Sequence, residues 1–269
     1  MVIAIVALLV GLLMPALGRA RGAARTAVCL SNLRQLEVAH TLYMNDNREQ
    51  FIDAGLGHGG LTLIERAWPV VLGEYAGPGM SLRSPVDASP FWPRSAGGVC
   101  DGQTLGEVLE AVETAAANGS TPGAVVECRW TSYGLNNFLT RFARPSVIDP
   151  RTGKFGGPWE RLGKVPRPGA TVHFLMMTQG LLEGSEEFAK SDHVHAQDWS
   201  EFGAELAPAY AATQMDVAAH GGPGSDGRGG ASAESVSNYG FLDGHAATLR
   251  FKSVYGGPTD NAFWPEYAK

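Results

Sequence analysis

Residues 1–18 (MVIAIVALLVGLLMPALG) carry no charged and no strongly polar side chain, and they constrain this chain more than any other stretch. At about 1.5 Å of rise per residue, such a helix covers roughly 27 Å, close to the hydrocarbon thickness of a bilayer. A terminal run that is apolar on every side reads as a membrane anchor. Two other readings compete. One is a cleaved secretory signal, since small residues (Ala16, Gly18, Ala20) follow the apolar core, although no positively charged segment precedes it. The other is a buried core helix. Pro15 predicts a kink or a break late in the run, which membrane helices tolerate better than soluble ones.

Residues 19–47 continue with a helical period. Ala20, Ala23, Ala27, Leu30, Leu33, Leu36, Ala39 or His40, and Tyr43 recur at three- and four-residue steps and predict one apolar face. Arg21, Arg25, Ser31, Asn32, Arg34, Gln35 and Glu37 fall on other faces, and Asn45-Asp46-Asn47 gives an end signal. The expected organisation is an anchor over 1–18, an amphipathic continuation of the same helix over 19–47, and a globular head over 48–269.

The run over residues 2–47 resembles the N-terminal region of type IV pilin-like proteins (pseudopilins). It is most similar to the large bacterial group that carries a C-terminal His-x9-Asp-Gly signature. In that group an apolar helix is followed by proline, a basic patch, "C-x-x-N-L-(R/K)-Q-(L/I)" and a "Y-x-x-(D/N)-(N/H)" exit. Cys29, Asn32, Leu33, Arg34, Gln35, Leu36, Tyr43, Asp46 and Asn47 match it as they stand. The resemblance implies an α+β, pilin-like fold: a long N-terminal helix packed on an antiparallel sheet, with loop and helix insertions in the head. It implies a structural subunit of a type II secretion or type IV pilus-like assembly, without catalysis. The subunit would sit in the bacterial inner membrane by a single pass, head on the periplasmic side, with other pilin-like subunits as partners through the helix. Gly11, Ala16 and Gly18 would allow close helix–helix approach.

Family members begin with a short basic leader, a Gly and then Phe-Thr-Leu-Ile-Glu. None of this precedes Val2, and Met1 aligns several residues inside the mature helix. The chain therefore reads either as a truncated start or as a degenerate member that is not processed, and polymerisation through that glutamate is not expected of the chain as written. Arg19, Arg21 and Arg25 alone would keep the head cytoplasmic, an orientation that a basic leader would reverse. Gly60-Leu61-Thr62-Leu63-Ile64-Glu65 looks like the missing motif, but Arg66 and Pro69 follow too soon for a span. Residues 61–72 read instead as a helix or strand of the head.

A net charge of −6 gives no global drive toward nucleic acid, and 35 Gly with 16 Pro point to short strands and many loops. Within the head, 103–118 has the pattern of an inserted helix, and 124–128, 132–138 and 173–178 read as strands. Residues 180–230 read as surface loop with a short helix at most. Residues 238–251 (NYGFLDGHAATLRF) predict a hairpin with a two-residue type I′ turn at Asp243-Gly244. This segment resembles the family's "N-x-x-F-x-D-G-H", through Asn238, Phe241, Asp243, Gly244 and His245. The upstream histidine should stand at 233, which is Ala, so His220 reads as its displaced equivalent.

No pair among Cys29, Cys100 and Cys128 has metal-ligand spacing. An extracytoplasmic head predicts a Cys100–Cys128 disulfide. In the family the helix cysteine often pairs with a "C-P-x-D" segment. That place reads Ser84-Pro85-Val86-Asp87 here, so Cys29 either pairs with Cys128 or stays free.

His193-x-His195, with Asp192 and Asp198, has metal-ligand chemistry, but two histidines in a surface loop is the preferred reading. Asp243 and His245 with His220 read as a turn rather than a metal site. The resemblance allows calcium, with Asp192, Asp198, Asp216 and Asp226 as carboxylates, but no EF-hand spacing supports it and no cofactor is expected. Nucleophile-elbow, phosphate-loop and zinc-protease motifs are missing from the sequence. The alternative function is a membrane-tethered module whose Trp92, Trp130, Trp159, Trp199 and Trp264 contact carbohydrate or another envelope polymer. A secreted enzyme with a cleaved signal is the third reading.

Overall fold

The computed structural model describes residues 2–57, 66–77, 80–118, 127–140, 148–149, 151–201, 203–225 and 229–269. The side chains of residues 2, 4, 5, 7, 8, 112, 113 and 115–117 are excepted. The expected strand at 124–128, the motif-like segment at 60–65 and Asp226 lie wholly or mainly outside the described residues.

Helix α1 (Val2–Asp46) runs unbroken, with Pro15 inside it. The expected break is not there. Proline removes its own N–H bond to the carbonyl four residues back, which here belongs to Gly11, and Gly11 has open space around it. The helix stops where the Asn45-Asp46-Asn47 signal places its end. Asn47 N–H bonds Tyr43 O and Glu49 N–H bonds Met44 O, while Arg48 (φ 55°) and Glu49 (φ 61°) turn the chain through the left-handed region. Among the described residues, no helix is long and apolar enough to cross a membrane. From Leu9 the apolar run reaches Gly18 and then meets Arg19, Arg21 and Arg25.

Two further helices follow, α2 (Trp68–Ala76) and α3 (Leu105–Ala117). Then come β1 (Tyr133–Asn136), β2 (Val172–Met176), β3 (His193–Val194), the short α4 (Ala207–Ala211), β4 (Val236–Phe241), β5 (Ala246–Arg250) and α5 (Phe251–Val254). A small ribbon of β6 (Tyr255–Gly257) and β7 (Asp260–Asn261) ends the chain. The main sheet has the order β3-β1-β2-β4-β5. It is mixed rather than antiparallel, because β3 pairs parallel with β1 through Leu135 and His193. The segment between β2 and β3 is long enough to carry the chain past β1 and bring it back in the same sense.

One sheet face receives the C-terminal half of α1. Cys29, Leu33, Leu36, Ala39 and Tyr43 pack against Trp68, Leu72, Tyr133, Leu135, Phe174 and Met176. The other face is covered by the segment read as surface loop. Val194, Trp199, Ala207, Ala211, Met215 and Val217 are all buried, against Val172, Leu175, Tyr239, Phe251 and Phe263. The error has a physical source: the segment's apolar residues sit in single turns too short to show a period, yet each turn contributes one side chain to the core.

Candidate functional site

The site is the junction between α1 and the sheet, and it begins at Thr26. Its hydroxyl meets His220 Nδ1 (3.1 Å), and its carbonyl accepts from Asn238 Nδ2 (3.2 Å). Asn238 is held in turn by Thr248, whose hydroxyl donates to Asn238 Oδ1 (2.6 Å). His220 and Asn238, which the sequence reading placed in a C-terminal signature, therefore grip the helix. Further along, Arg34 donates to Ala246 O (3.4 Å) on β5. Asn32 Nδ2 donates to the Tyr133 hydroxyl (2.9 Å). Burial raises the Tyr133 pKa, so that hydroxyl keeps its proton.

Cys29 is a free, buried thiol, and its Sγ lies 2.9 Å from Ser84 Oγ. Burial, opposed by the Ser84 contact, pushes this thiol up. Ser84 thus occupies the place where the resemblance puts a partner cysteine. Cys100 and Cys128 form a disulfide with Cα atoms 5.8 Å apart, so Cys128 does not pair with Cys29.

The buried face of α1 differs from the expected stripe. Ala20, Ala23 and Ala27 are exposed, and burial starts at Cys29. Asn32, Glu37 and His40, two of which the period assigned to polar faces, are buried. Glu37 and His40, three residues apart, share a face. On β2 the register against β4 shifts between Val172 and Leu175, opposite Phe241 and Tyr239. One extra residue there forms a bulge that re-aims side chains. His173 reaches Glu37, and its neighbour Phe174 packs on the His40 ring, so two successive residues face the helix.

The three polar residues meet. Glu37 Oε2 lies 2.9 Å from His173 Nδ1, and Phe174 N–H donates to Glu37 Oε1 (3.3 Å). The His40 and His173 rings are 4.2 Å apart, and Ile52 N–H donates to His40 Nε2 (3.3 Å). His40 Nδ1 is buried without a hydrogen-bond partner. One donor atom from each residue lies within 4.8 Å of the others. Gly240 makes room for the carboxylate: a Cβ there would stand 2.8 Å from Glu37 Oε1.

Burial sets the protonation of this cluster. It pushes Glu37 well above the usual carboxyl range, against the Phe174 N–H and with the nearby Asp243 carboxylate. It lowers His173 to about 3. It holds His40 well below the ordinary value, with help from His173. A protonated Glu37 donating to a neutral His173 is the arrangement these directions favour.

The other residues singled out in the sequence lie elsewhere. The chain turns at Leu242-Asp243-Gly244 in a three-residue loop, with Gly244 N–H to Phe241 O (2.8 Å) and Phe241 N–H to His245 O (2.9 Å). Only Gly244 (φ 98°) has a positive φ, so the expected type I′ turn is replaced by a turn plus a left-handed glycine. His245 stacks on Phe241 and lies 2.6 Å from Asp243 Oδ1, at the exposed tip. His220, gripping Thr26, does not complete a site with them. Asp192 and His193 are buried rather than on a surface loop, Asp192 accepting from Gly55 N–H (2.9 Å). Glu37, His40 and His173 are the metal-ligand group found among the described residues; Asp192, Asp198 and Asp216 form none. The five tryptophans singled out for carbohydrate are buried. Gly11, Pro15 and Gly18 lie on the exposed half of α1.

Sequence reading missed Glu37, His40 and His173 as a set. The signal was present in part, because Glu37 stands four residues after Leu33 and His40 four after Leu36, on the same stripe. The bulge that adds His173 has no local signature. A buried ion pair was also missed: Arg129 Nε donates to Asp87 Oδ2 (2.8 Å), and Nη1 donates to Thr178 O and Ala189 O (both 2.6 Å).

No protein-family model, curated protein or solved structure matches the chain.

Proposed function

We propose that this chain is a pilin-like structural subunit, held in a bacterial inner membrane by residues 2–18 and packed through α1 against other pilin-like subunits. The observation that carries the reading is the division of α1. Its C-terminal half is locked into the head, while in its N-terminal half Leu9, Val10, Leu12, Leu13, Met14 and Leu17 are 48–68% exposed. So much apolar surface on one helix is stable only when covered, by lipid or by neighbouring helices. The anchor itself rests on the sequence of residues 2–18 rather than on a described span. Gly11 and Gly18, with nothing within 4 Å, leave space for a neighbouring backbone. The head's grip at Thr26 would transmit load from helix to sheet.

The test is membrane fractionation followed by crosslinking of a Leu13→Cys variant in cells. Membrane-associated chains that crosslink to other pilin-like subunits support the reading, whereas a chain recovered free of membrane and never crosslinked overturns it. One observation favours the tethered-binding alternative: a cavity of about 250 Å³ lined by Phe138, Gln197, Tyr255, Pro258 and Trp264. Trp264 Nε1 is buried there without a hydrogen-bond partner. Saccharide-induced shifts of tryptophan fluorescence, removed by Trp264→Phe, would support that second reading; no response to any envelope saccharide counts against it.

A further inference from the structure

We propose that Glu37, His40 and His173 form a three-ligand zinc site that joins α1 to the sheet. The donor set suits the ion, since two imidazoles and one carboxylate are a known three-ligand zinc set whose fourth position is taken by water. The geometry is close. Zinc ligands about 2.0–2.2 Å from the metal lie roughly 3.3–3.6 Å from each other in a tetrahedron. Here the three donor atoms already fall within 4.8 Å, with Glu37 Oε2 and His173 Nδ1 at 2.9 Å. Binding would open the Glu37–His173 pair by about 0.5 Å and draw the wider pairs in by about 1 Å.

Three further features mark the cluster. The bulge in β2 turns His173 toward the helix, a device found near functional sites. Gly240 has no side chain where Glu37 needs space. His40 Nδ1, fully buried, has no hydrogen-bond partner, which is costly for a polar atom unless something else binds it.

The proton balance is simple. The ion takes the place of the proton held between Glu37 and His173. That proton leaves to solvent, and the His173 Nδ1 lone pair turns to the metal. At His40 the proton moves from Nδ1 to Nε2 and Nδ1 becomes the ligand, giving up the long 3.3 Å bond from Ile52 N–H. Two neutral imidazoles and one carboxylate leave a single positive charge on the site. Asp243, whose charge already acts on Glu37, lowers the cost of keeping it there.

The inference is independent of assembly, so its readout is metal and not filament. The full-length chain in detergent, stripped with chelator, would be titrated with Zn²⁺ alone, with bound metal read by mass spectrometry and Co²⁺ used as an optical probe. The expected result is one tightly held equivalent per chain and the intense visible bands of tetrahedral Co²⁺. Glu37→Gln and His40→Gln should each weaken zinc by more than the 10–100-fold that outer-shell partners typically carry. His193→Gln should leave it unchanged. His173→Cys keeps a ligand and should add a thiolate charge-transfer band to the Co²⁺ spectrum. Wild-type protein that folds yet holds no stoichiometric zinc overturns the proposal. So does affinity that survives both Glu37→Gln and His40→Gln, or that falls with His193→Gln. Because the wild-type titration decides by itself, a variant that fails to fold does not shelter the idea.

Discussion

Ser84→Cys should lock α1 to the head through a disulfide with Cys29. The two side-chain atoms are 2.9 Å apart in the protein, and a sulfur–sulfur bond needs about 2.03 Å, so a shift of roughly 0.9 Å closes it. The link spans 55 positions of sequence. A loop of that size removes about 14 cal/mol/K from the unfolded chain, or about 4 kcal/mol at 25 °C. Against this stands the loss of the Ser84 hydroxyl that accepts from Val86 N–H (3.3 Å), a bond worth about 1 kcal/mol. The net gain of about 3 kcal/mol corresponds to a rise in Tm of about 6–12 °C at this size of chain. The assay has two parts, intact mass with thiol alkylation before and after denaturation, and thermal unfolding against wild type under the same oxidising conditions. In wild type, Cys29 should resist alkylation until the protein unfolds, because burial excludes reagent and raises the thiol pKa. A folded, oxidised Ser84→Cys protein in which both thiols still alkylate would refute the docking geometry of the helix.

Three other perturbations probe the same frame. Gly240→Ala places a Cβ 2.8 Å from Glu37 Oε1 and should cost about 1–3 kcal/mol by chemical denaturation, with part of the loss relieved in a Glu37→Ala background. Asp87→Ala strands the Arg129 guanidinium in the interior and should cost about 3–5 kcal/mol; unfolding curves unchanged from wild type would show that the pair is not buried. Burial lowers His220 to about 4 from an ordinary value near 6.5. The unfolded chain therefore binds the proton first, and stability falls as the pH drops from about 6.5 to about 4. His220→Gln should reduce the slope of that part of a stability–pH curve, the rest being carried by the buried His40 and His173, and an unchanged slope would remove His220 from the helix grip.

The helix was the most legible part of the chain because its signals are local: apolar period, end signal and length. Its exit at Asn45-Asp46-Asn47, the inserted helix α3 and the hairpin of β4 and β5 were legible for the same reason. What failed was decided by distant partners. Glu37 looks like a solvent-face residue until His173 is known to lie across from it, and His173 looks like an ordinary strand residue until the bulge turns it. The parallel pairing of β3 depends on a loop path that has no period. The turn at Asp243-Gly244 was right in place and wrong in type, because hairpin register, set by Phe241 and His245, chose a three-residue loop.

The polar character of the junction bears on the proposed role. A helix that only needed to stay attached could rest on Leu33 and Leu36, since apolar packing stabilises without demanding orientation. Hydrogen bonds at Thr26, Asn32 and Glu37 instead fix both the rotation of α1 about its axis and its position along it. A one-residue slip would leave Glu37 and His40 buried against apolar neighbours, at a cost of several kcal/mol. That rigid register matters most if the exposed half of the helix must meet neighbouring helices at a set angle while the head points outward. The buried polar contacts thus favour a subunit whose helix is a positioned lever over one whose helix is merely a tether.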